Sequence, residues 1–85
     1  MRSLRFHAQG WEDFTYWVVT DKSITKRILR LLDATLRDPF TGIGKPEPLK
    51  HTLSGAWSRR ITDEHRLVYL VTDKEIVVLQ ARYHY

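Results

Sequence analysis

The sequence predicts an α+β fold: an N-terminal strand, a helical hairpin, then an antiparallel three-stranded meander joining one sheet. Two changes of period carry this reading. Apolar residues alternate at the start, recur every three or four residues from Trp11 to Leu36, and alternate again after Gly55. Between the helical and the later strand patterns lies a stretch, 38–54, with Pro39, Gly42, Gly44, Pro46 and Pro48. A long segment without periodicity inside a small domain is usually functional or disordered, and these prolines argue for stiffness.

Leu4 and Phe6 alternate with Arg5 and His7, which is a short strand signal. Trp11, Phe14, Trp17 and Val18 then follow helical spacing, with Glu12 and Asp13 expected near the positive end of that helix. The spacing makes Trp11 and Trp17 core aromatics and leaves His7 at the surface. Thr20-Asp21 breaks the pattern and offers an N-cap for a second helix. Its apolar stripe is Ile24, Ile28, Leu31, Leu32 and Leu36. Pro39 disfavours helical geometry at Asp38, so this helix should stop near Arg37. After Gly55, Trp57, Arg59 and Ile61 alternate with Ser58 and Arg60. Thr62-Asp63-Glu64 turns, and residues 65–71 form a β-prone run. Thr72-Asp73-Lys74 turns again, and residues 75–85 read as a last strand. Its Ile76-Val77-Val78-Leu79 stretch is apolar on both faces and should lie inside the sheet.

Eighty-five residues make a single domain, 1–85. With 42% hydrophobic and 28% charged residues, the composition excludes a disordered or fibrous chain. The absence of cysteine excludes a disulfide framework, a thiolate metal site and a cysteine nucleophile. No secretory leader or apolar run of membrane-spanning length is evident, so a soluble, cytoplasmic protein is expected. The formal charge of +4 favours a polyanionic partner. Residues 1–44 and 45–85 each hold seven basic and five acidic side chains, so an anion site must be assembled by folding.

Several motifs fail. Gly42-Ile43-Gly44-Lys45 has the wrong spacing for a phosphate loop, and Pro46 stands where Ser or Thr is needed. The histidines show no ligand-pair spacing, and no metal or other cofactor is expected. A different constellation survives. Cleavage of RNA through the ribose 2′-hydroxyl needs a base, a cation for the phosphorane, and an acid for the departing 5′-oxygen. Glu47, Arg66 and His84 supply those chemistries, with aromatic rings nearby that could stack bases. On residue types alone, Glu47 also reads as a solvated loop acid, Arg66 as an ion-pair partner, and His84 as a frayed terminal residue.

Gly44-Lys45-Pro46-Glu47-Pro48-Leu49-Lys50, Leu53-Ser54-Gly55, Trp57-Ser58-Arg59-Arg60-Ile61, Glu64-His65-Arg66-Leu67-Val68-Tyr69 and Arg82-Tyr83-His84-Tyr85 occur in that order. Together they resemble the YoeB toxins of the RelE-like superfamily, along almost the whole chain. The resemblance implies a microbial-RNase-like fold and a toxin of a type II toxin–antitoxin system. That toxin would be an mRNA endonuclease acting in the ribosomal A site, neutralised by a YefM-type antitoxin and usually dimeric. It implies Glu47 as general base, Arg66 as transition-state arginine, His84 as general acid and Tyr85 as the residue completing the site. Lys50 and Arg60 resemble the family's supporting phosphate-binding residues, and His51 and Arg59 are added to them as RNA- and phosphate-binding candidates. Two departures concern packing and capping: Ala56 replaces a bulkier apolar residue, and His7-Ala8-Gln9 replaces a more acidic, serine-led helix start. Three other readings stay open: a non-catalytic RNA- or ribosome-binding module, an antitoxin-bound repressor partner, and a small enzyme of another class.

Overall fold

The structure is a computed structural model that describes residues 1–50 and 54–83. Its elements are β1 (Ser3–Phe6), α1 (Ala8–Thr20), α2 (Lys22–Arg37), β2 (Glu47–Pro48), β3 (Ala56–Arg60), β4 (Arg66–Val71) and β5 (Glu75–Gln80). The sheet order is β1-β5-β4-β3-β2. The β3-β4-β5 meander is antiparallel, as expected, and β5 lies between two neighbours, as its apolar run requires. Two features were not legible in the periodicity: β1 joins β5 in parallel, and the two-residue β2 pairs with β3 at the far edge.

Asp21 caps α2 by accepting from the Ser23 and Ile24 amides; the Ser23 hydroxyl, which also donates to it, and then these amides hold its carboxyl below the usual carboxylate range. The helix ends at Arg37, where Pro39 predicted. At α1 the expectation needs correction, because the helix begins at Ala8 and places Glu12 and Asp13 beyond its first turn. His7 occupies the N-cap position without a side-chain cap bond, and its amide instead donates to Val78 O. Asp13 is buried, and Trp17 is 6% exposed, whereas Trp11 is 55% exposed. Trp11 therefore leaves the predicted core; its ring rests edge-on against Phe6, on the rim of the packed layer.

The core joins Trp17, Ile28, Leu31 and Leu32 from the helices to Ile61, Leu67, Tyr69, Ile76 and Val78 from the other layer. Ala56, Val68 and Val77 are also buried but belong to the opposite sheet face. Ala56, opposite Leu70, is closed to solvent despite its small side chain. At Gly10, α1 touches the backbone of β5: an added Cβ would lie 2.3 Å from Val78 O. Gly10→Ala must push the helix off the sheet, so thermal or urea unfolding should show a loss of about 1–3 kcal/mol.

The last strand is shorter than the sequence predicts, ending at Gln80 instead of running on to residue 85. The next residue's backbone is captured from α1. Asp13 Oδ2 accepts the Ala81 amide at 3.0 Å, and Trp17 Nε1 donates to Ala81 O at 2.8 Å. Tyr83 then adopts φ +63°, which strand geometry cannot accommodate.

Candidate functional site

Strand register decides which candidates share a surface. Directly paired residues lie on one face, and residues two apart along a strand return to it. Glu47 pairs with Ser58, and Ser58 with Val68; Arg60 pairs with Arg66. Arg60 is two residues from Ser58, and Arg66 two from Val68. Glu47, Arg60 and Arg66 therefore lie on the face turned away from the helices, across three adjacent strands. Glu47 and Arg60 are exposed and Arg66 is half-buried. Lys50 is exposed just beyond β2, after the bond from the Leu49 amide to Ala56 O.

The approach to Glu47 is unusual. Gly44 has φ +81° and Lys45 φ +50°, so two successive residues are left-handed before Pro46. A Cβ on Gly44 would come within 2.7 Å of the Leu31 side chain, so neither the angle nor the space suits another residue. Gly44 O accepts the Arg60 amide at 2.7 Å, tying this turn to β3.

Arg66 is tethered by one nitrogen. Its Nη1 donates to Thr62 O (2.7 Å), Asp63 O (3.1 Å) and His65 O (3.2 Å). Among the described residues, Nε and Nη2 make no hydrogen bond. The β3–β4 turn thus holds the guanidinium at one corner and leaves an edge that could take two oxygens of a phosphate.

Arg59 must be corrected. It was expected to bind phosphate, yet it is 0% exposed and lies on the helix-facing side of β3. Nη2 donates to Asp38 O (2.7 Å) and Thr41 O (2.8 Å), and Nη1 to Ile43 O (2.9 Å). Nε donates to Tyr69 Oη at 3.0 Å, and that hydroxyl donates to Pro39 O at 2.7 Å. Burial pushes the Tyr69 phenol above its ordinary value, against the opposing pull of Arg59. Bonds from the Phe40 amide and the Thr41 side chain, with Arg59 nearby, hold the Asp38 carboxyl below its ordinary range. Arg59 is therefore the peg that shapes residues 38–43, the segment leading to Glu47, and its burial keeps it from RNA.

Three residues expected to act here, His51, His84 and Tyr85, lie outside the described residues. What precedes His84 is well defined, through groups that residue types did not reveal. Beyond the two bonds to Ala81, His65 Nδ1 accepts the Tyr83 amide at 2.7 Å, and Tyr83 O accepts the Arg66 amide at 3.1 Å. Arg82 stacks over the Tyr16 ring, 3.7 Å from its centroid. A cleft of about 330 Å³ beside this segment is lined by Asp13, Tyr16, Arg82 and Tyr83 among others, and by none of Glu47, Lys50, Arg60 or Arg66. No group of three or more metal-ligating side chains occurs among the described residues. Nor is any described helix long and apolar enough to cross a membrane.

Comparison with known proteins bears on this arrangement. Residues 6–85 match the family model described as a YoeB-like toxin of a bacterial type II toxin–antitoxin system. Toxin YoeB of Mycobacterium bovis is 58% identical over 85 residues, covering 100% of both chains. The YoeB dimer from Staphylococcus aureus superposes with a TM-score of 0.91 at 45% identity, covering 99% of this chain and 98% of that one. The YoeB–YefM complex from the same organism gives 0.88 at 43% identity, covering 100% and 99%. With the fold and the order of its motifs matching from end to end, the chain belongs to the YoeB family of toxins of bacterial type II toxin–antitoxin systems.

Proposed function

We propose that this toxin is a ribosome-dependent mRNA endonuclease that cuts messages in the A site. The observation that carries the reading is the register placing Glu47, Arg60 and Arg66 on one sheet face. Strand spacing separates the Glu47 and Arg66 backbones by roughly 12 Å, a gap that two long side chains and one phosphodiester can fill. Glu47 takes the proton of the 2′-hydroxyl, whose oxygen bonds to phosphorus. Arg66 stabilises the phosphorane charge. The bond from phosphorus to the 5′-oxygen breaks, and His84 protonates that oxygen. The products are a 2′,3′-cyclic phosphate and a 5′-hydroxyl. Tyr85 completes the site, while Lys50, His51 and Arg60 hold flanking phosphates. A charge of +4 on 85 residues offers little grip on a long RNA. The ribosome supplies the missing orientation, which can be worth several kcal/mol of barrier.

Partners follow from the same surface. A YefM-type antitoxin would neutralise the toxin by laying acidic residues over Lys50, Arg60 and Arg66. Self-association as a homodimer accords with the relative from S. aureus. Footprinting of the antitoxin complex should protect 45–66 and 82–85; full accessibility of both segments would contradict this mode.

Glu47→Ala and His84→Gln should each slow single-turnover cleavage on programmed ribosomes by about 10²-fold or more. Removing His84 and Tyr85 together should abolish it, with an unchanged circular dichroism spectrum, because the buried apolar residues of β5 end before them. A non-catalytic binding module would instead arrest translation without cutting and tolerate all three changes.

A further inference from the structure

The contacts around residues 81–83 have a consequence for that chemistry. Tyr83 and Lys45 are the only described non-glycine residues with positive φ, at +63° and +50°. One stands immediately before His84 and the other two residues before Glu47. A tyrosine in the left-handed region is strained and persists where its surroundings over-determine it. At Tyr83 both backbone polar groups are engaged by consecutive residues of the β3–β4 region: the amide by His65 Nδ1, and the carbonyl by the Arg66 amide.

We infer that His65 is a positioning residue: its Nδ1, by accepting the Tyr83 amide, holds the left-handed turn immediately before His84, the acid of the proposed reaction. This rests on the endonuclease reading and names a residue on which its acid step depends. His65 is 8% exposed, and its ring meets Trp17 edge-on, with centroids 4.8 Å apart. Trp17 also holds Ala81 O, so one indole both backs the imidazole and anchors the incoming chain. An Nδ1 that accepts an N–H carries no proton, which selects the neutral tautomer protonated at Nε2. At Nδ1 His65 is thereby an acceptor, and its part is to hold the Tyr83 amide. Because Arg66 is its neighbour, one short segment fixes both the arginine and the turn before the acid. A displacement of about 1 Å in a catalytic group can cost 10²-fold in rate, so this bond is positioned to matter for turnover without touching RNA.

The test compares two substitutions in the full-length toxin. His65→Phe keeps a ring against Trp17 and removes the acceptor. His65→Asn removes the ring but returns an acceptor, since Asn Oδ1 and His Nδ1 are the same number of bonds from Cβ. Single-turnover cleavage on programmed ribosomes should fall roughly 10–100-fold for His65→Phe, with KM nearly unchanged, and by less than about threefold for His65→Asn. In a His84→Gln background, His65→Phe should add less than about threefold, because the group it positions is already gone. The Tyr83 amide should be protected from hydrogen exchange in the wild type and in His65→Asn, and unprotected in His65→Phe. His65→Phe cutting at near wild-type rate, or a full multiplicative loss with His84→Gln, would overturn the inference. Should His65→Phe fail to fold, His65→Asn decides: an unprotected Tyr83 amide and a 10-fold or greater loss would equally overturn it. If the wild type itself cuts nothing on ribosomes, the endonuclease reading fails, and Tyr83 amide exchange still decides whether His65 holds the turn.

Discussion

Arg66→Ala is expected to lower single-turnover cleavage on programmed ribosomes by about 10²–10³-fold, the scale for losing a principal donor to developing oxyanion charge. Three carbonyls of the β3–β4 turn would lose one nitrogen between them, so the folded protein should persist. Arg66→Lys should recover only part of the rate. A lysine keeps the charge but lacks the planar fork, and so cannot hold the turn with one nitrogen while presenting an edge to phosphate. Near wild-type cleavage by folded Arg66→Ala would remove the cation from the mechanism.

Arg59→Ala should fail for the opposite reason, through stability. It would strip donors from Asp38, Thr41 and Ile43 carbonyls, leave Tyr69 Oη one partner short, and open space in the interior. Unsatisfied buried groups and lost packing together predict a loss of about 3–5 kcal/mol. For a domain of this size that is a large part of the whole stability, about 4–13 kcal/mol. Arg60→Ala, one residue along, should change stability by no more than about 0.5 kcal/mol while weakening cleavage. Urea unfolding of both variants checks the contrast. Equal stabilities would mean that Arg59 is not the peg described.

These two neighbours mark how far the site was legible. The alternation Trp57, Arg59, Ile61 already placed Arg59 in phase with apolar residues and Arg60 out of phase. That signal was outweighed by the general preference of arginine for phosphate and solvent. Only the carbonyls of residues 38–43, brought over β3 by the fold, explain a buried guanidinium. Likewise Asp13 looked like a charge near a helix start, because nothing local reveals that its partner is the amide of Ala81, far along the chain. The fold class, the Asp21 cap, the stop before Pro39 and the meander follow from short-range rules, and those rules held. The parallel β1–β5 pairing, the two-residue β2 and the early end of β5 depend on long-range bonds that periodicity does not encode. Chemistry groups Glu47 with Arg66 as base and cation and puts Arg60 among the phosphate-binding candidates, and register is what brings the three to one face.

The proposed activity of this face is to cut messenger RNA as the ribosome presents it. Mapping 5′ ends on one message, with and without translating ribosomes and with wild type against Glu47→Ala, tests it most directly. Wild type should produce cuts confined to A-site codons of translated message, and Glu47→Ala should produce few or none. Equal cutting of the naked message with the same pattern, or cutting that survives Glu47→Ala, would contradict the account.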